Sequence, residues 1–482
     1  MRKGLWISLA IVAVLAASYP GLAWYSGKTV EARLKTYQGR ILAQAPYLTV
    51  ASRNYERGIY RSTEEITYEF GRGMFAAVAA AAAASGKPGT VPGSLSFTVR
   101  SRIQHGPLPG FGPPALARIE TEFVMSDAVK QALAKAFGER KPIEIVTLLD
   151  FQGGGVTKVS SPAFDGFSIG VKGETLSWKG LNATVKFGPD LAWAKLHGEA
   201  PGMEVKSPAG ESAKFEQISV DSNSQLAFED LYIGDASVTM KSVRVEPGQS
   251  GAPGPQNMSM DGVEYSARFD RKQDFLDVGA KFGIASMDMQ PAKLSDLHYD
   301  LTIKHLHGPS VAAFMRSLRK VLAEGPPAGD GEEGATFDKE LRRLGIELLK
   351  RDPELVIDRI SFAMPEGDAK LTGTVRIVGF DEADLEGPTA AMSLVQKLDA
   401  RVDVSVAEAL LAKLAATGGG GAQWEQQLAS FEAQGYVTRT DGRLTTHVEF
   451  RQGALTLNGK AFTPPSAPPP AGEKPPRDTT HT

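Results

Sequence analysis

The chain has 482 residues, with 53 basic against 56 acidic side chains and a formal net charge of −3. This balance gives no electrostatic attraction to nucleic acid, so we expect no nucleic-acid partner. Cysteine is absent, which excludes both disulfides and a lipid attached to an N-terminal cysteine. The length is too great for one compact core and predicts either several domains or one elongated body.

One uncharged stretch near the N-terminus runs from Leu5 to Tyr25. Its length suits a helix across a bilayer, which needs about 20 apolar residues. Arg2 and Lys3 precede it, and positive charge on this short side favours the cytoplasm for residues 1–4. We therefore expect a single pass through a bacterial inner membrane, with the bulk of the chain in the periplasm. The predicted anchor residues are Leu5, Trp6, Leu9, Ile11, Val14, Leu15, Tyr19, Trp24 and Tyr25.

The same stretch has a second interpretation, because a basic start, an apolar run and small residues also describe a secretory signal peptide. Cleavage would then follow Ala17 or Ala23. The run is longer than the apolar core of most signal peptides, and aromatic residues stand near both of its ends, as they do at membrane interfaces. The sequence therefore favours a retained anchor, with cleavage as the alternative.

Helical spacing continues beyond the anchor, since apolar residues recur at three- and four-residue intervals from Val30 to Ile41. We expect a short helix leaving the membrane there. Two alternating runs around Arg57-Gly58 then predict a hairpin. The alanine-rich residues 73–93 are interpreted as an insertion in a hairpin, with a membrane-lying segment as the minority alternative.

From residue 117 onward, short alternating runs follow one another and are separated by turn residues. Such spacing is typical of antiparallel sheets. We predict a mainly β fold of the α+β type, with elongated antiparallel sheets, several covering helices and one N-terminal transmembrane helix before them. The predicted divisions are a cytoplasmic stub at 1–4, the transmembrane anchor at 5–25, an N-terminal β-rich periplasmic region at 26–290, a C-terminal β-rich region with helices at 291–462 and a Pro-rich disordered tail at 463–482.

Three places interrupt the rhythm of strands with a change from strand to helix, near Ser126, Ser310 and Ser405. A serine at the start of a helix caps free backbone amides with its side-chain oxygen. Each following run carries apolar residues at helical spacing, so one face of each helix should pack on the sheet. A repeated strand–helix unit is therefore a hypothesis.

The sequence contains no motif for a nucleophile elbow, a zinc helix, a phosphate loop or a dinucleotide, so no cofactor is predicted. His305 and His307 alternate on a predicted strand and so share a face, but no carboxylate cluster completes a metal site; solvated histidines are the default interpretation. For a hydrolase, the candidates are His105 and the nearby Ser101.

Four short strings in the chain resemble the YdgA family of bacterial inner-membrane proteins. They are AWYSGKTVE from Ala23, NYERGIYRS from Asn54, HGPLP from His105 and LTLNGK from Leu455. The resemblance spans nearly the whole chain and implies an N-terminal anchor with a large periplasmic body. The biochemical role of the family is not established, so the resemblance implies no catalytic residue. The residues that carry it are Gly27, Lys28, Glu31, Tyr55, Arg57, Gly58, Ser62, His105, Gly106, Pro107, Asn458 and Gly459.

The leading functional hypothesis is a non-enzymatic envelope protein that binds a hydrophobic or lipid-like ligand, or an envelope partner. It rests on the lack of a catalytic constellation and on many strands, which form an apolar groove if the sheet curves. An envelope hydrolase with a site assembled from scattered residues is the alternative. In a third hypothesis the anchor pairs two copies into a homo-oligomer, although the anchor contains no GxxxG motif.

Overall fold

The structure is a computed structural model. It describes residues 2–45, 47–70, 95–169, 173–248, 257–290, 292–324, 342–385, 390–417 and 421–462. Within these ranges, the side chains at 2–17, 128, 169, 321–324, 391 and 421–423 lie outside the description. The alanine-rich insertion predicted at 73–93 and the tail predicted at 463–482 lie outside the described residues.

The strands are short at the N-terminal end of the chain and longest in its middle. The first nine are β1 (Leu48–Arg57), β2 (Arg61–Phe70), β3 (Ser96–His105), β4 (Ala117–Val124), β5 (Glu144–Leu149), β6 (Gly155–Ser161), β7 (Phe164–Ile169), β8 (Glu174–Trp178) and β9 (Leu181–Phe187). The next six are β10 (Trp193–Lys206), β11 (Ser212–Phe228), β12 (Leu231–Glu246), β13 (Met258–Lys272), β14 (Phe275–Met289) and β15 (Ala292–His307). The last seven are β16 (Glu354–Met364), β17 (Gly367–Ile377), β18 (Leu398–Ala407), β19 (Thr438–Thr440), β20 (Arg443–Arg451), β21 (Ala454–Leu457) and β22 (Lys460–Ala461).

One long helix precedes the strands, and shorter helices are inserted between them. They are α1 (Arg2–Gln44), α2 (Asp127–Phe137), α3 (Gly308–Glu324), α4 (342–349), α5 (Ala390–Lys397), α6 (Glu408–Thr417) and α7 (Gly421–Gln434). The predicted short helix after the anchor is therefore the continuation of α1, which runs without interruption to Gln44.

Within the described residues, all of the strands belong to one antiparallel sheet of 22 strands. Nearly every strand pairs with the next one in sequence, from the β1–β2 hairpin onward. The main departure is the β7–β8 hairpin, which pairs with the second half of β10, while β6 pairs with β9. The mainly β, antiparallel prediction is confirmed, and the hairpin around Arg57-Gly58 is β1–β2. The sheet also runs through residue 290, because β14 pairs with β15.

Helix α1 lies against one face of this sheet, which we call the inner face. Val30 and Tyr37 of the helix share a buried cluster with Ile103, Leu149 and Phe187 of the strands. Side chains two residues apart on a strand point to the same face, so the alternating pattern supplies these inward residues. Among the residues described with their side chains, no helix combines the length and the apolar character needed to cross a membrane.

A second buried cluster forms where α3 packs on the sheet. Ala312 of the helix meets Leu231 and Leu276, and Val311 packs beside them. Ser126 caps α2 as predicted, because its side chain accepts from the amide of Val129 at 3.4 Å. Helix α2 contacts β7, α3 contacts β11 and β15, and α6 contacts β17 and β18. Helices α3 and α6 thus contact the strands that precede them, β15 and β18, whereas α2 contacts β7. The repeated strand–helix unit stays a hypothesis.

Candidate functional site

The main site candidate among the described residues is a cavity of ≈ 780 Å³ between α1 and the inner face of the sheet. We call it the α1 cavity. Strands from β2 to β12 form its walls, and the helix closes one side. The helix contributes Leu34, Tyr37, Gln38, Arg40, Ile41 and Gln44. The sheet contributes Ile66, Tyr68, Val99, Ile119, Val185, Phe187, Ala194 and Tyr232, among others.

The local sequence explains why these side chains meet. Leu34, Tyr37, Gln38 and Ile41 follow an i, i+3, i+4, i+7 spacing, which places them on one face of a helix. On the strands, the lining residues are separated by two, as Val185 and Phe187 are. The sequence predicted the apolar helix face but not the cavity, because strand alternation does not say which distant strands share a helix.

The environment of the α1 cavity is mostly apolar, and its ionisable groups reflect this. Burial raises the pKa of Tyr37, of Tyr68 and of Tyr232, since burial disfavours the charged phenolate. The buried carboxylate of Glu64 is compensated by Arg53, whose Nε lies 2.8 Å from Glu64 Oε1. An amphiphile with an apolar chain would fit these walls.

Next to the cavity, a buried histidine fastens α1 to the sheet. His105 Nδ1 lies 2.9 Å from the carbonyl oxygen of Ala23, and its Nε2 lies 3.0 Å from Ser62 Oγ. A carbonyl oxygen only accepts, so Nδ1 carries the hydrogen and Nε2 accepts from the serine hydroxyl. A Cβ added to Gly27 would lie 2.6 Å from His105 Cε1, so only glycine allows this approach. We call His105, Ser62, Ala23 and Gly27 the helix clamp.

Further motif residues surround the helix clamp. Arg57 NH1 lies 3.0 Å from Glu31 Oε2, and its guanidinium stands 5.7 Å from the ring centre of Trp24. Tyr55 packs against the buried cluster that contains Val30 and Tyr37 of α1, and burial raises the pKa of Tyr55. Gly58 forms the tight turn after β1, because a Cβ there would lie 2.5 Å from the Arg61 carbonyl oxygen.

The rest of the motif divides between this region and the far end of the chain. Gly106 lies against Ala23 with a φ of +124°, and the Pro107 carbonyl accepts from the amide of Ala115. Lys28 is exposed on α1. Asn458 and Gly459, by contrast, form the turn between β21 and β22, where Asn458 Oδ1 accepts from the amide of His447 at 2.8 Å. Most of the residues that carry the family resemblance therefore meet where α1 joins the sheet.

The histidines weighed as site candidates from the sequence have other partners in the structure. Ser101 Oγ bonds Thr121 Oγ1 at 3.1 Å rather than His105, so the proposed Ser101–His105 pairing is wrong; the two residues are four apart on β3, too far along a strand to touch. His305 and His307 both contact the ring of Phe275. Among the described residues, no group of three or more metal-ligating side chains is assembled.

Of the predicted anchor residues, the structure describes the side chains of Tyr19, Trp24 and Tyr25. Leu5, Trp6, Leu9, Ile11, Val14 and Leu15 lie outside the described side chains. Tyr19 is half-buried and stacks on Tyr60 with ring centres 6.0 Å apart. Trp24 and Tyr25 are exposed.

Beyond the α1 cavity, the inner face continues as a row of apolar side chains from β12 to β17. Each member pairs directly with the next one across the sheet. Their neighbours along the strands are polar, as Glu264 is beside Tyr265. Tyr265 is 47% exposed and Tyr299 is 52% exposed, so the centre of this row is open to solvent. We call it the apolar band: Val238, Tyr265, Phe282, Tyr299, Ile360 and Leu371.

A family described as a bacterial protein of unknown function (DUF945) matches residues 1–465. The chain belongs to this family. Protein YdgA of Escherichia coli (strain K12) is 21% identical to it over 498 residues, covering 95% of each chain. The predicted resemblance to the YdgA family is thereby confirmed. No solved structure matches the chain. Membership of the DUF945 family carries no assigned chemistry, so the site itself has to support any function.

Proposed function

We propose that this DUF945 protein is a single-pass bacterial inner-membrane protein whose periplasmic body binds a lipid-like amphiphile and catalyses no reaction. The α1 cavity carries the proposal. Its volume of ≈ 780 Å³ falls within the range of about 300–1,000 Å³ that is typical of small-molecule sites. Its walls, which include Leu34, Ile41 and Val185, suit an acyl chain.

The position of the cavity supports a ligand drawn from a membrane. The helix that closes the α1 cavity is the same helix that carries the predicted anchor, and Leu34 follows Tyr25 by nine residues. At a rise of 1.5 Å per residue, this separation is about 14 Å. A lipid that leaves the outer surface of the bilayer would therefore meet the cavity within the length of one lipid molecule.

Polar groups at one part of the lining suit a head group. Arg40 lines the cavity beside Tyr232 and adds a cation, while Gln44 contributes an amide. Gln44 Nε2 also donates to the Asp230 carbonyl at 2.6 Å. An amphiphile with a polar or anionic head and an apolar tail matches this distribution.

The histidine geometry does not favour a hydrolase. Ser62 and His105 lie within hydrogen-bond distance, as a nucleophile and its base would. However, Ser62 is 4% exposed and His105 is 2% exposed, so a substrate could not reach them. The other ring nitrogen of His105 meets the Ala23 carbonyl rather than a carboxylate. The pair fits a structural role in the helix clamp.

The proposal is tested by blocking the cavity in the full-length protein. Val185→Trp adds a bulky ring to the wall of the cavity. The matched control is Lys186→Trp. Lys186 is exposed and follows Val185 on β9, so its side chain points to the opposite face of the sheet. We expect phospholipid to co-purify with the wild-type protein and the control. The amount should fall several-fold in Val185→Trp, as measured by native mass spectrometry from detergent.

Two results would contradict the proposal. If the wild-type protein carries no lipid after mild extraction, the proposal of a lipid-like ligand is wrong. An unchanged lipid content in Val185→Trp, with a folded control, would place any bound lipid outside the α1 cavity.

A further inference from the structure

Part of the folded body lies beside α1 at a level where the chain is predicted to be in the membrane. Tyr19 stacks on Tyr60 of the β1–β2 turn, and its hydroxyl donates to the Leu108 carbonyl at 3.1 Å. Tyr19 precedes Tyr25, the last residue of the predicted span, by six residues, or about 9 Å along the helix. The body must therefore touch the bilayer if the anchor spans it.

The segment at this level has the composition of a membrane contact. The loop of residues 106–116 between β3 and β4 contains no charged side chain. Its Phe111 is 97% exposed, and Leu108 is exposed as well. Ile59 and Tyr60 project from the neighbouring turn and are also exposed. We call Leu108, Phe111, Ile59 and Tyr60 the apolar tip.

Backbone hydrogen bonds hold the loop in the conformation that exposes its phenylalanine. The amide of Phe111 donates to the Leu108 carbonyl at 3.1 Å, and the amide of Gly112 donates to the Pro109 carbonyl at 3.2 Å. Phe111 has a φ of +56°, a conformation rarely adopted outside glycine. Proline residues and internal hydrogen bonds leave few free backbone donors, which lowers the penalty for leaving water.

We propose that the apolar tip is a second membrane contact, which inserts Phe111 and Leu108 into the interface of the phospholipid bilayer beside the anchor. Aromatic side chains favour this interface. The exposed cations Lys28 and Arg61 lie on the adjoining helix turn and strand start, where they meet phosphate groups. The contact fixes the orientation of the body and keeps the α1 cavity close to the lipid surface. This inference rests on the membrane anchor of the proposed function.

Site-directed spin labelling of the full-length chain tests the inference, and the absence of cysteine makes single-cysteine variants simple. A nitroxide is attached at Phe111→Cys in liposomes of phosphatidylethanolamine and phosphatidylglycerol. Accessibility to oxygen and to a water-soluble nickel complex is then compared. The control is Phe151→Cys, because Phe151 is also an exposed aromatic residue in a turn. The Phe151 carbonyl accepts from Arg33, about 21 Å further along α1 than Tyr19. A label at Val14→Cys reports on the anchor.

We expect the oxygen-to-nickel accessibility ratio at 111 to exceed that at 151 several-fold, with the ratio at 14 higher still. A ratio at 111 equal to that at 151, with an apolar signal at 14, overturns the second contact and leaves the anchor intact. An aqueous signal at 14 overturns both the anchor and this contact.

Discussion

The inner face of the sheet has two regions that share one sequence pattern and differ in what covers them. Between β2 and β10 the face packs on α1, and Ile103 there is 1% exposed. Between β12 and β17 the same alternation continues in register, but the tyrosines of the apolar band stay about half exposed. The covered region encloses a cavity, and the open region is a surface.

The difference shows that alternation and burial are separate properties. The two-residue period decides which side chains face inward. Whether they are buried depends on a covering helix. Helix α3 buries Leu276 of β14. Helix α1 covers the region from β2 to β10, and the helix clamp and a few hydrogen bonds hold it in place, such as that from Arg33 NH2 to the Phe151 carbonyl. We therefore expect substitutions where α1 contacts the sheet to lower the free energy of unfolding most, and we expect the apolar band to be free for other contacts.

The largest expected effect comes from truncating equivalent inward residues in the two regions. Ile103→Ala removes a fully enclosed side chain, and such changes cost about 2–5 kcal/mol of the free energy of unfolding. Tyr265→Ala, in the apolar band, should cost less than about 1 kcal/mol, since much of its ring already contacts water. Urea unfolding of both variants in detergent measures the two values. Equal losses would mean that something covers the band in solution.

A second prediction separates the helix clamp from the rest of α1. Gly27→Ala places a Cβ 2.6 Å from the His105 ring, and overpacking of this kind costs about 1–3 kcal/mol. Gly39→Ala is the matched control on the same helix, because nothing lies within 4 Å of the added Cβ. It should stabilise the protein by about 0.5–1 kcal/mol through helix propensity.

Hydrogen exchange of the α1 amides distinguishes a local effect from a global one. Faster exchange near Gly27 in Gly27→Ala alone would confirm that the clamp holds the helix. A stability change of the same sign in both glycine variants would show that the His105 contact does not matter.

The sequence predicted much of the fold because its signals are local. Alternation indicated the antiparallel sheet, the spacing from Val30 to Ile41 indicated the helix, and Ser126 was a correct cap. Ser405 was not, since it lies within β18 and accepts from Arg443 Nε at 2.6 Å. A serine near the end of a strand has the same sequence context as a cap, so propensity alone cannot separate the two.

The site depended on contacts between residues distant in sequence, which local patterns do not encode. The sequence points to His105, but with Ser101 as its partner, whereas the register of β2 and β3 places Ser62 opposite Ile103, two residues before His105 and on the same face. The family strings held the better signal. Gly27, Ser62 and His105 come from three of them, and the structure joins these residues at one point.

The smallest expected effect is the pH dependence that His105 of the covered region contributes. Burial lowers the pKa of His105, because the interior disfavours the imidazolium. In the unfolded chain its pKa is about 6.5, so below that pH the unfolded state binds a proton that the folded state does not. The contribution of neutral His105 to the free energy of unfolding is therefore fully present above about pH 6.5 and is lost as the pH falls below that value. His197 behaves in the opposite sense, since its hydrogen bond to Asp221 raises its pKa.

The thermal midpoints at pH 7.5 and at pH 5.5 should therefore differ less in His105→Gln than in the wild type. His197→Gln should not reduce the fall of the midpoint between these two pH values. An unchanged loss in His105→Gln would show that acid weakens the fold elsewhere and that the helix clamp does not sense pH.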